Sequence, residues 1–149
     1  MECSVSGSAS AYLDVLYEKY DSFDVQQTTV GVDREEYEIV EKRPDGVAVR
    51  ARVGSDDGII AFPDGDDWVL PGGVLNGDPT PEAVARLIER RTGIRCSIDG
   101  LDRVSLACLQ CDSTSGELWT VSTVFSATAT GGSPRNGAVW RDRSIPTSP

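Results

Sequence analysis

The strongest constraint in this 149-residue chain is one helix whose two ends are both written into the sequence. Thr80 offers a hydroxyl to cap the first turn, Pro81 sits where a missing N–H costs nothing, and Glu82 faces the positive end of the helix dipole. Gly93 ends it, because glycine takes the left-handed conformation after a last turn without a Cβ penalty. Between those limits Val84, Leu87 and Ile88 make an apolar stripe that must be buried against another element. The surrounding chain has the period of a sheet. Val47, Val49, Ala51 and Val53 alternate with Arg50 and Arg52, which predicts a half-buried strand. Turn residues at Ser55-Asp56-Asp57-Gly58 and Asp64-Gly65-Asp66-Asp67 set off further strands at 59–62 and 68–70. Strands are also expected at 94–98, 103–111, 117–129 and 137–141, separated by Asp99-Gly100, the 112–116 turn and Gly131-Gly132-Ser133-Pro134. One well-marked helix among so many strands reads as an α/β fold with a mixed sheet.

Ahead of this domain, residues 1–9 are small and polar and read as a frayed end. Tyr12, Leu13, Leu16, Tyr17 and Tyr20 then recur at helical spacing, a stripe best read as packing. Asp33 with Glu36 predicts a capped second helix through about Glu41, and Pro44-Asp45-Gly46 a turn. The expected organisation is an N-terminal helical extension over 1–43, packed on a main domain over 44–149.

Composition removes several classes of chemistry. There is no histidine, which excludes histidine-based triads and imidazole metal sites. Four cysteines (Cys3, Cys96, Cys108, Cys111) are too few and too scattered for a disulfide scaffold. Cys108 and Cys111 form a CxxC inside an expected strand, where residues three apart point to opposite faces, so buried apolar cysteines are the expectation. The net charge of −10, from 24 acidic and 14 basic residues, argues against a long nucleic acid as partner. Acids dispersed over a lysine-poor chain are also the style of a halophile's protein. No apolar run is long enough for a membrane span and no signal pattern opens the chain, so the expectation is a cytoplasmic protein without a membrane partner.

The loop and helix together carry a more specific pattern. Gly72, five residues, Asp78, seven residues, then Arg86-Leu87-Ile88-Glu89-Arg90-Arg91-Thr92-Gly93-Ile94 resembles the Nudix box, G-x5-E-x7-R-E-U-x-E-E-x-G-U with U aliphatic. Trp68-Val69-Leu70-Pro71-Gly72-Gly73 resembles the family's W-x-L-P-G-G entry, and Ala138-Val139-Trp140 through Pro146 its closing strand and loop. The resemblance, over about 46–146, implies the Nudix α/β/α sandwich, with helix 81–92 on one face and other helices opposite. It also implies glutamates on one helix face that hold magnesium for cleavage of a nucleoside diphosphate derivative.

Those glutamates correspond to Leu87, Arg90 and Arg91, so the box is degenerate. The residues that shape the loop and helix persist: Gly72, Gly73 and Gly93, with Asp78 and Arg86 placed to keep the family's tie between loop and helix. The resemblance with this pattern of loss points to a haloarchaeal Nudix-superfamily protein that binds a small phosphorylated metabolite or nucleotide without metal or other cofactor. Arg86, Arg90 and Arg91 are its candidate phosphate contacts, because a guanidinium forks two hydrogen bonds onto phosphate oxygens. One alternative is a divergent magnesium-dependent pyrophosphohydrolase using relocated acids, drawn from Glu82, Glu89, Asp64, Asp66, Asp67, Asp112 and Glu117. The other is a structural or interaction module with a vestigial cleft.

Overall fold

The computed structural model describes residues 7–42, 47–112 and 117–144, with the side chains of 7–12 and 117 outside the description. The expected turn at Pro44-Asp45-Gly46, most of the 112–116 turn, the first six residues and the closing stretch beyond Ser144 therefore lie outside the described residues. In chain order the elements are α1 (Gly7–Lys19), β1 (Asp24–Gly31), α2 (Arg34–Glu41), β2 (Val47–Ser55), β3 (Gly58–Asp64), β4 (Asp67–Val69), β5 (Gly72–Leu75), α3 (Pro81–Thr92), β6 (Ile94–Gln110), β7 (Glu117–Gly132) and β8 (Val139–Arg141).

The capping residues act as their types predict. Asp33 accepts from the Glu36 amide at the start of α2. Thr80 accepts from the Ala83 amide at 3.1 Å, and Gly93 leaves α3 at φ 78°.

The fold is α/β with one large mixed sheet, in the order β1-β6-β7-β2-β3-β4, with β5 on β2 and β8 on β3. β1 runs parallel to β6 and β7 parallel to β2, while the other pairings are antiparallel. Three strands depart from expectation. β1 lies in the segment expected to be helical, and its eight residues are exposed throughout, so it carries no apolar alternation to read. β5 falls where Gly72-Gly73 read as loop. Asp99-Gly100 does not break the strand around it: β6 absorbs the irregularity as register shifts and runs on for 17 residues.

One face of the sheet is dry. Val47, Val49, Ala51 and Val53 of β2, Val104 and Leu106 of β6, and Val121, Phe125 and Ala127 of β7 are buried in a single cluster with Val84, Leu87 and Ile88 of α3. α1 joins α3 on this same face rather than lying across the sheet from it. Tyr20, just past its last turn, sets its ring edge-on to Phe125 with centroids 5.4 Å apart. Its hydroxyl donates to the Pro79 carbonyl oxygen, at 2.8 Å, immediately before α3. Tyr17 departs from the expected packing stripe: it is 58% exposed, with its ring centre 4.8 Å from that of Phe23.

Burial, and secondarily the charge of Glu82, push the Tyr20 hydroxyl from 10.0 up to about 12. The unfolded chain ionises near 10 and the folded chain near 12, so this linkage leaves stability intact below pH 10 and removes it as pH rises from 10 to 12. Denaturant titrations across that window are expected to show a steeper fall for wild type than for Tyr20→Phe. The variant should also lose about 0.5–1.5 kcal/mol at neutral pH through the missing hydrogen bond.

Candidate functional site

The β5–α3–β6 segment places the box residues. Gly72 belongs to β5, and a Cβ there would fall on the Val49 carbonyl oxygen of the neighbouring strand. Gly73 is tight in a different way: a Cβ would meet an Arg91 guanidinium nitrogen at 3.2 Å and the Leu87 side chain at 3.4 Å. Both glycines therefore let β5 and α3 approach the sheet closely. At the far end, the buried Thr92 hydroxyl donates to the Ile88 carbonyl at 2.7 Å and accepts from the Ile94 amide at 3.0 Å. The loop after β7 completes the cap. The Arg135 amide bonds the Thr92 carbonyl at 2.7 Å, and the Asn136 side-chain amide reaches the Arg90 and Arg91 carbonyls.

The three positions where the Nudix pattern has metal-binding acids separate into two environments. Leu87 is 3% exposed and belongs to the core cluster, whereas Arg90 and Arg91 are exposed on the last turn of α3. Arg86 is exposed as well. The expected tie between Asp78 and Arg86 is not formed: among the described residues the ion pair is Arg34–Glu38 on α2. The acids that could have relocated are dispersed, with Glu82 and Glu89 exposed on α3, Asp64, Asp66 and Asp67 at the exposed β3–β4 turn, and Asp112 at the end of β6. Among the described residues no three Asp, Glu, Cys or His side chains converge to hold a metal ion. A buried leucine and two guanidiniums do not fit a divalent cation at the positions where the pattern has its acids.

A depression of about 390 Å³ lies at the C-terminal end of α3, lined by Glu89, Gly93, Arg95, Gly132, Ser133 and Arg135. Nearby, burial first and the charges of Glu89 and Asp99 next push the Cys96 thiol up to about 11, which keeps it protonated and unreactive at neutral pH. The CxxC reading needs correction at one member. Cys108 is buried as expected, but it is disulfide-bonded, while Cys111 is buried and outside any disulfide. The two are therefore not a redox pair with each other. Trp68 lies outside the main cluster, half-buried under the Arg141 guanidinium at 4.4 Å from its ring centre.

No protein-family model matches the chain, and no curated protein matches it. Solved structures do resemble it. An oxidoreductase candidate from Sinorhizobium meliloti shares 17% identity at a TM-score of 0.50, over 77% of this chain and 37% of that one. A MutT NUDIX hydrolase from Burkholderia pseudomallei shares 27% identity, covering 70% of this chain and 88% of its own, at a TM-score of 0.43. An ADP-ribose pyrophosphatase from Streptococcus suis shares 15%, covering 65% and 70%, at 0.42. The chain spans little more than a third of the first of these proteins, and the likeness is one of fold.

Proposed function

We propose that this chain is a Nudix-type domain that binds a small phosphorylated metabolite or nucleotide, of the nucleoside diphosphate class, without cleaving it. The observation that carries this reading is Leu87. Where the family's pattern asks for a metal-binding glutamate, this fold has built an apolar side chain into its core. The unbroken spacing of the box on a β5–α3–β6 segment supports the family assignment. Arg86, Arg90 and Arg91 support the ligand class, since they are exposed along α3 and no carboxylate pairs with them among the described residues. Guanidiniums neutralise phosphate and orient it through paired hydrogen bonds. They do not lower the pKa of a bound water as a metal ion does, so such a site holds a diphosphate intact.

The test pairs a reaction with a binding measurement. With ADP-ribose or a dinucleoside polyphosphate and excess Mg²⁺ or Mn²⁺, no nucleoside monophosphate should be released. The same compounds with EDTA should raise the melting temperature in a concentration-dependent way. Rapid metal-dependent release would establish the divergent hydrolase instead. No thermal shift with any of the compounds would leave a structural module.

A further inference from the structure

The depression at the C-terminal end of α3 has a floor without side chains. β6 and β7 pair Ile94 with Gly132 and Arg95 with Gly131, and the ladder slips between Arg95 and Cys96. A slip of this kind re-aims the side chains beside it. Three glycines line the approach. A Cβ on Gly132 would strike the Gly93 carbonyl oxygen. One on Gly93 would stand 2.6 Å from the Arg135 Nε, and one on Gly131 would stand 2.6 Å from an Arg95 guanidinium nitrogen. Both guanidiniums therefore lie against bare backbone, and Glu89 of α3 lines the same depression.

Two guanidiniums and one carboxylate share this lining without pairing. Neither Arg95 nor Arg135 has a carboxylate within 4.0 Å among the described residues. Asp99, the next acid along β6, accepts the Thr128 hydroxyl at 2.7 Å and is not part of the lining. The carbonyls that end α3 are taken as well. The Gly93 amide bonds that of Glu89, the Arg135 amide that of Thr92, and the Asn136 side chain those of Arg90 and Arg91. An anion entering the depression therefore does not meet open carbonyls. Two arginines against one glutamate leave the lining positive, and Arg90 and Arg91, exposed on the same last turn, add to that field. The rest of the chain is acidic, with a net charge of −10.

We propose that this depression binds a free acidic α-amino acid, glutamate or aspartate. Such a molecule carries two carboxylates and one ammonium, the reverse of the charges that line the site. Each guanidinium takes a carboxylate through paired hydrogen bonds, and Glu89 receives the ammonium. The three side chains stand too far apart to pair directly, so a ligand of reversed pattern bridges them. A simple dicarboxylate or a phosphate would instead set negative charge against Glu89. The volume of about 390 Å³ lies at the small end of the roughly 300–1,000 Å³ usual for small-molecule pockets, which suits a compact ligand. The site does not depend on the ligand class read from Arg86, Arg90 and Arg91.

The experiment follows the amide resonances of the nitrogen-15-labelled full chain as L-glutamate is added, against sodium chloride at matched ionic strength. The Gly93, Gly132 and Ser133 amides are expected to shift saturably with glutamate and not with the salt. Arg95→Gln and Arg135→Gln, both at exposed positions, should each weaken binding by about tenfold or more. N-acetylglutamate, which lacks the ammonium, and glutamine, which has one carboxylate, should bind wild type more weakly than glutamate by a similar factor. Glu89→Gln should erase the preference for glutamate over N-acetylglutamate, a change that a merely structural role for Glu89 would not produce. Shifts that sodium chloride reproduces would overturn the proposal. So would equal wild-type affinity for glutamate and N-acetylglutamate, or affinity unchanged in both arginine variants.

Discussion

Leu87→Glu is expected to destabilise the fold by about 3–5 kcal/mol. Removing a buried leucine forfeits about 1.5–3 kcal/mol of apolar burial. Placing a polar, ionisable group where Leu87 packs near Gly73 adds about 1–3 kcal/mol more. The side chain has no exposed surface toward which to turn, since Leu87 is 3% exposed. Arg90→Glu and Arg91→Glu, on the exposed last turn, should each cost only about 0.3–1 kcal/mol, from reversed interaction with the helix dipole. Chemical denaturation of the three single variants checks the contrast. Equal, small losses in all three would mean that Leu87 is not a core residue. The contrast matters because restoring all three glutamates is the obvious route to a metal-binding box, and one of the three substitutions breaks the core before it can bind anything.

Gly72→Ala is expected to have an effect of similar size by a different route. Its Cβ would coincide with the Val49 carbonyl oxygen, which is main chain in the middle of β2 and cannot rotate aside. Relief requires moving β5 off β2, so the cost should reach about 3 kcal/mol or more, above the usual 1–3 kcal/mol of side-chain overpacking. Gly77→Ala is the control, because nothing stands within 4 Å of a Cβ there. Melting temperatures of the two variants, measured side by side, decide the matter. A Gly72→Ala protein as stable as the Gly77→Ala protein would show that β5 and β2 do not approach this closely.

How much of this was legible depends on how local each signal is. α3 could be read to the residue because its cap hydroxyl, its proline and its terminal glycine act within one turn of chain. β2 announced itself by alternation, because one of its faces is dry and the other is not. β1 could not, since burial distinguishes none of its residues; only the β-branched Val25, Thr28, Thr29 and Val30 hinted at extended chain. The resemblance to the box set Leu87, Arg90 and Arg91 where that pattern has acids, and Leu87 could be seen to widen the apolar stripe. The sequence did not say that the neighbouring arginines stay in solvent while Leu87 is sealed. Which distant residues share a sheet face was the least legible feature. Arg50, Arg103 and Arg141 come from three distant strands, and only the pairing of β2 with β7, β7 with β6, and β3 with β8 brings them to one side.

The bond between the Tyr20 hydroxyl and the Pro79 carbonyl also bears on how the molecule breathes. It ties the end of the first helix to the residue before Thr80, so a fluctuation that lifts α1 uncovers Phe125 and loosens the start of α3 together. Fraying at α3 releases Tyr20 in return. The two segments are then expected to open as one cooperative unit, their amides showing a common opening free energy in hydrogen exchange although they lie far apart in the chain.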